Sequence, residues 1–221
     1  MLFALVHGTT QSTAGWQLLA EQLSQAGHVV ALVDLGGLAS DSSSAMYAQA
    51  AAAQLPSGSA DVVVAHSGSG LLLPAVASAV GARVQVFLAA FIPNGTTSLL
   101  AEVDEDAASI FHPDWIGVDP TVDHQAARQF LFHDCSSHVA TWAIGTLRRF
   151  QPLAAYAEVA RPPVEIPAVA IVPDGDRTLR AEWMKQAAQD RLGVEPIIIP
   201  GGHCPHVSRP SLVADILGSL S

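Results

Sequence analysis

The run VVVAHSGSG, Val62 to Gly70, carries a strand-like apolar stretch straight onto a serine framed by small residues. Ala65 stands two positions before Ser67 and Ser69 two after, and an apolar, helix-like run follows at once. A serine hydroxyl is a poor nucleophile at its ordinary pKa and needs a base beside it. An imidazole in that role needs a carboxylate to fix its tautomer and stabilise its charge. Both partners occur further along. AVAIVPDGD offers Asp174 and Asp176 just past one strand-like run, and PIIIPGGHCPH offers His203 and His206 past another. Serine, acid and histidine in this chain order, each beyond a strand end, form a nucleophile–acid–base pattern suited to acyl transfer. Ser69 is a rival to Ser67, but Leu71 spoils the small-residue frame around it. A developing oxyanion also needs donors. The Gly68 amide would lie at the start of the helix behind the serine, and the Thr9 amide in the loop His7-Gly8-Thr9-Thr10 supplies a second.

Short apolar runs of strand length must position these groups: Leu2–Val6, Val29–Asp34, Asp61–His66, Val84–Ala90, Ala168–Val172 and Pro196–Ile199. They are nearly continuous rather than alternating, as expected of parallel strands buried on both faces. Helical stretches separate the early ones. Ala14 to Ala26 stops at Gly27, Ser44 to Leu55 is ended by Pro56, and Gly68 to Val80 is closed by Gly81 with an expected kink at Pro74. Alternation of strand and helix predicts a doubly wound parallel sheet of six strands, whose ligands gather at the carboxyl ends. It breaks between about residues 94 and 165, where helical segments capped by Asp123 and by Ser136 or Ser137, and one begun by Pro152, make a lid inserted in a single domain spanning 1–221. After it the sheet resumes, with a helix from Arg180 to Leu192 and a last one opened by Pro210.

Composition narrows the class. At 221 residues the chain suits one α/β domain, and a content of 50% hydrophobic and 14% charged residues argues against disorder. A net charge of -10 opposes nucleic-acid binding, which leans on Lys and Arg. No apolar run approaches the roughly 20 residues that cross a bilayer. The start lacks a signal-peptide pattern, and Cys135 and Cys204 have no metal or redox spacing, so a cytoplasmic monomer or homodimer acting on a small molecule is expected.

Four stretches, LVHGTTQSTAGW, AHSGSG, GDRTL and GGHCPHVSRP, resemble the His-Gly loop, nucleophile elbow, acid loop and histidine loop of the α/β-hydrolase superfamily. The likeness spans almost the whole chain and is greatest to the small members that include hydroxynitrile lyases and methyl-salicylate-type esterases. GHCPHVS also resembles the histidine loop of bacterial stress-regulatory hydrolases and of strigolactone or karrikin receptors. Ala65 departs from the glycine that usually opens the elbow, and nothing in the short lid matches a substrate-defining motif. The resemblance implies Ser67 as nucleophile, His203 as base, Asp176 rather than Asp174 as the acid, and Thr9 and Gly68 amides as the oxyanion hole. It implies no metal or organic cofactor.

The expected activity is hydrolysis of a small, fairly apolar ester or acyl compound through an acyl-serine, with an apolar pocket drawn from Leu99, Leu100, Phe111, Trp115, Phe130 and Trp142. Of these, Phe111, Trp115, Phe130 and Trp142 are expected mainly in the lid core, with one or two facing the substrate. Two rivals share the residues. One is a lyase, eliminase or ring-opening enzyme in which Ser67 and His203 only move protons. The other is a ligand sensor with a residual triad. Hydroxynitrile lyases use a lysine near the site; the single lysine here, Lys185, falls on a predicted surface helix, which argues against cyanohydrin cleavage. His66 is expected to be structural, His7 to brace the oxyanion loop and Cys204 to pack. His112, His124, His133 and His138 in the lid are expected at the surface or lining the pocket, without a metal.

Overall fold

The computed structural model describes residues 1–161 and 165–220; residues 162–164, within the span assigned to the lid, and residue 221 lie outside the described residues. Six strands, β1 (Leu2–Val6), β2 (Val29–Val33), β3 (Val62–His66), β4 (Val84–Leu88), β5 (Ala168–Pro173) and β6 (Ile197–Ile199), form one sheet in the order β2-β1-β3-β4-β5-β6. Every pairing is parallel. All strand carboxyl ends therefore face one edge, where loops from β1, β3, β5 and β6 meet.

Alternate residues of each strand feed opposite cores, as the period of two requires. Phe3 and Leu5 of β1, Val62 and Val64 of β3, and Val86 and Leu88 of β4 pack on one face. Helix α1 (Gln17–Gln25) covers that face with Leu19 and Leu23. On the other face Ala4, Val6, Val63, Ala65 and Phe87 meet α2 (Ser44–Ala53) and α3 (Leu73–Ala79). Continuous apolar runs predict strands buried on both faces, and the two edges depart from this. Val29 on β2 and Ile198 on β6 are exposed, because an edge strand lacks a neighbour and is incompletely covered.

Pro74 also departs from expectation. A 3₁₀ turn over Ser67–Leu71 precedes α3, so the α-helix starts later and Pro74 falls in its first turn. There the missing N–H has no intrahelical acceptor to lose, and no kink is needed.

Between β4 and β5 the lid contains α4 (Leu99–Ile110), α5 (His124–Ala126) leading into a wide turn over Ala127–Leu131, α6 (Ser137–Ile144) and α7 (Leu153–Tyr156). Side chains of Ser98, Asp123 and Ser136 accept from amides in the first turns of α4, α5 and α6, which fixes where each begins. Arg191 pairs with Glu102 of α4 and donates to Ile92 O at 2.6 Å, tying the lid's start to the sheet. At its end Arg148 bridges both carboxylate oxygens of Asp34 after β2, and this hydrogen bonding holds the Asp34 carboxyl down at about 2. After β5 come α8 (Ala181–Ala187), α9 (Pro205–Ser208) and α10 (Pro210–Gly218); Val213 and Leu217 of α10 join Leu19 and Leu23 of α1 on the first face.

Candidate active site

Ser67 ends β3 with φ of +55°, the left-handed region that a residue with a Cβ seldom occupies. The turn is held by its surroundings. Phe91 N–H donates to Ser67 O at 3.0 Å, and the buried Ser69 donates its hydroxyl to His7 O at 2.6 Å. Strain of this kind costs on the order of 1 kcal/mol and persists where neighbours over-determine the backbone. Close approach explains the small residues. A Cβ at Gly8 would sit 2.9 Å from Ser67 Cβ, and one at Gly70 would sit 2.0 Å from Phe91 O. Ser69 is small for another reason, since its hydroxyl ties the elbow to the loop after β1.

His203 follows β6 and lies against Ser67, its Nε2 3.0 Å from Ser67 Oγ. Its Nδ1 is 2.7 Å from Asp176 Oδ2. A carboxylate only accepts, so Nδ1 carries the proton and Nε2 presents its lone pair to the serine hydroxyl. The second carboxylate oxygen, Oδ1, accepts from Thr178 N–H, the Thr178 hydroxyl and Leu179 N–H at 2.7, 3.0 and 3.1 Å. The Asp176 and His203 side chains are almost wholly buried. Asp174, by contrast, is exposed, and its amide is spent on Ile199 O.

Thr9 and Gly68 line the same cavity as Ser67 and His203. Gly68 lies in the first turn of the 3₁₀ segment, where no preceding carbonyl of that helix can take its amide. The cavity measures about 220 Å³. Phe91, Leu99, Phe111, Trp115, Leu131 and Leu179 supply its apolar wall. Of the six pocket residues expected, Leu99, Phe111 and Trp115 are there. Leu100 points outward, Phe130 is buried behind Trp115, and Trp142 lines a separate recess with Leu18 and Val139. Helix periodicity alone could not tell the cavity face of the lid from its other apolar faces. No residue described in the cavity wall bears a fixed charge.

The histidines divide by their partners. His7 accepts from Leu35 N–H at Nε2 and turns Nδ1 toward Gly8 O, bracing the loops after β1 and β2. His66 donates Nε2–H to His203 O at 2.8 Å, so the residue beside the serine fixes the backbone of His203. His66 packs among Trp16, His203 and His206, and burial holds it well below an ordinary histidine. Burial likewise holds His206 down at about 3. Both are neutral, so neither competes with His203 for a proton near neutral pH. Cys204 accepts from Gln11 Nε2, and burial pushes its thiol well above the usual range, which leaves it unreactive.

His133 departs from the surface or pocket position expected for the lid histidines. Its Nε2 is 3.0 Å from Gly175 O, and the adjacent Asp134 accepts Gly202 N–H at 2.9 Å. One lid dipeptide thus holds the residue before Asp176 and the residue before His203. Sequence spacing carried no sign of this, because the contact joins segments far apart in the chain. Replacing Asp134 with alanine leaves the buried Gly202 amide without its charged acceptor. The expected cost is about 2 kcal/mol by denaturant unfolding; a loss below about 0.5 kcal/mol would show that solvent replaces the carboxylate. Among the described residues no group of three His, Cys, Asp or Glu could hold a metal ion.

The Ser67–His203–Asp176 chain at the carboxyl edge of a six-stranded parallel sheet with a helical lid defines a class of fold. The chain belongs to the alpha/beta hydrolase family, whose model matches residues 3–216. Solved structures share the architecture at low identity. Polyneuridine aldehyde esterase aligns with a TM-score of 0.80 at 19% identity, covering 99% of this chain and 98% of its own. The methylesterase MES16 from Arabidopsis aligns at 0.76 and 17%, covering 100% and 98%. Tomato methylketone synthase I complexed with 2-tridecanone aligns at 0.73 and 17%, covering 99% and 96%. A comparison with curated proteins gave no match. No helix among the described residues is long and apolar enough to cross a membrane.

Proposed function

We propose that the protein is a serine hydrolase that cleaves small, uncharged, fairly apolar esters or related acyl compounds through an acyl-serine intermediate. The continuous chain from Ser67 Oγ through His203 to Asp176, opening on an apolar cavity, carries this reading. Ser67 Oγ attacks the acyl carbon while His203 Nε2 takes its proton; the carbonyl electrons move onto oxygen, which the Thr9 and Gly68 amides receive. Collapse expels the alkoxide, protonated by His203, and leaves the acyl group on Ser67. Water, deprotonated by His203, then reverses the sequence. The esterases among the structural neighbours are consistent with it. Lys185 pairs with Glu182 away from the cavity wall, so the cavity offers no ammonium for cyanohydrin chemistry.

The cavity supports a reading of what can enter. A space of about 220 Å³ without fixed charges favours neutral short or aromatic acyl groups. Rapid mixing with a short acyl ester of a good leaving group is expected to release a burst of alcohol equal to the enzyme, with an acyl adduct on Ser67 by intact mass. Turnover of an ester with neither burst nor adduct under rapid quench would move the reading to proton-shuttling, non-hydrolytic chemistry.

A further inference from the structure

Beyond the two amides, the cavity holds a pair of hydroxyls that the mechanism above leaves unused. Thr9 Oγ1 and Tyr156 Oη lie 2.6 Å apart. Both close over the α-carbon of Gly68: a Cβ there would come within 2.3 Å of Thr9 Oγ1 and 2.4 Å of Tyr156 Oη. Gly68 is thus glycine because two hydroxyls occupy the space beside it. Thr9 and Gly68 are also the residues whose amides are proposed above to receive the oxyanion.

Counting protons shows what the pair can do. Two hydroxyls carry two protons, and the hydrogen bond between them uses one. The other can turn into the cavity that both residues line with Ser67. We propose that Tyr156, backed by Thr9 Oγ1, donates a third hydrogen bond to the substrate carbonyl oxygen as it becomes an oxyanion. The inference rests on the acyl-serine reading. No proton is transferred in the step: the electron pair of the carbonyl settles on oxygen and the phenol hydrogen-bonds to it.

The phenol suits this better than the alcohol. A phenolic O–H is the more acidic donor, and accepting from Thr9 polarises it further. Burial pushes the Tyr156 pKa above that of an ordinary tyrosine, so the group keeps its proton throughout the working range. Tyr156 is buried in one apolar cluster with Leu71, Leu99 and Leu179, which shields it from solvent. The segment carrying it is anchored as well, through Arg148 N–H to Thr10 O, Thr10 N–H to Phe150 O and Ala154 N–H to Ser40 O.

Tyr156→Phe keeps the ring and removes only the hydroxyl. The expected result is a fall in kcat of about 10², with KM changed less than about threefold. Affinity for a trifluoromethyl ketone, which adds to serine as a tetrahedral oxyanion, should fall by a similar factor to kcat. Tyr47→Phe, which loses a buried hydroxyl bonded to Ala39 O elsewhere, controls for general loosening. The chain has two tyrosines, so in the Tyr47→Phe protein 3-fluorotyrosine reports Tyr156 alone. Its fluorine resonance should shift when the ketone adduct forms, a reading that survives even if Tyr156→Phe fails to fold. Ketone affinity kept within about threefold in Tyr156→Phe, or an unmoved fluorine resonance, overturns the inference while wild-type labelling by a fluorophosphonate leaves the acyl-serine reading standing. A wild type that neither labels nor binds the ketone removes both.

Discussion

Ser67→Ala is expected to abolish labelling by a fluorophosphonate and to lower ester turnover by about 10⁴ to 10⁶. The size follows from the geometry. Ser67 Oγ is the oxygen that His203 Nε2 reaches in the cavity, and without it His203 can only activate a water not held for attack. Stability should change little, within about 1 kcal/mol. Alanine inherits the same +55° backbone angle, so the strain of the turn is neither relieved nor increased. Ser69→Ala should behave in the opposite way. It removes a buried hydrogen bond to His7 O and leaves that carbonyl short of a partner, costing about 1 kcal/mol while labelling persists. Intact mass after the probe, with thermal unfolding on the same samples, separates the two. Labelling that survives Ser67→Ala and vanishes with Ser69→Ala would move the nucleophile.

The parts of this molecule that were legible in the sequence are those written in local chemistry. Parallel strands announce themselves as short apolar runs, and a reactive residue just past each run is a position as much as a type. Ser67, an aspartate at 174 or 176 and a histidine at 203 or 206 could be placed at one edge of one sheet from that alone. The family resemblance singles out Asp176, and the structure brings Ser67, Asp176 and His203 within hydrogen-bond reach. Contacts between distant segments left no such trace. Tyr156 sits on a four-residue helix with no motif around it, and it reaches Thr9 only because Arg148 and Ala154 anchor its segment to loops after β1 and β2. His133 and Asp134 look like lid surface until the acid and histidine loops are folded against them. Pro74 falls in the first turn of α3 and not in a helix interior, which the sequence hides because a 3₁₀ turn and an α-helix read alike in apolar spacing. Phe130 and Trp142 sit in the lid core and not at the cavity, and which lid aromatics face the cavity is not legible from spacing because a lid has several apolar faces and one cavity.

Asp176→Asn is expected to lower kcat by about 10⁴ with the fold intact, because the amide must choose which way to face. Asp176 Oδ1 accepts three donors, two from the backbone and hydroxyl of Thr178 and one from Leu179. An asparagine that put its NH₂ there would set donor against both backbone N–H groups, with only the Thr178 hydroxyl able to turn and accept. Its carbonyl oxygen therefore takes that site, and its NH₂ faces His203 Nδ1, which sits 2.7 Å from Oδ2 in the native chain. Nδ1 must then accept, so the ring proton moves to Nε2, the nitrogen that has to receive the Ser67 proton. The base is present, correctly placed, and already occupied. Nitrogen-15 shifts of the His203 ring should show the proton on Nε2 in the variant and on Nδ1 in the native protein at neutral pH. Asp174→Asn should leave both turnover and tautomer as they are, since Asp174 is exposed and Asp176 holds the ring. A large loss with Asp174→Asn, together with a native-like tautomer in Asp176→Asn, would transfer the orienting role from one aspartate to the other.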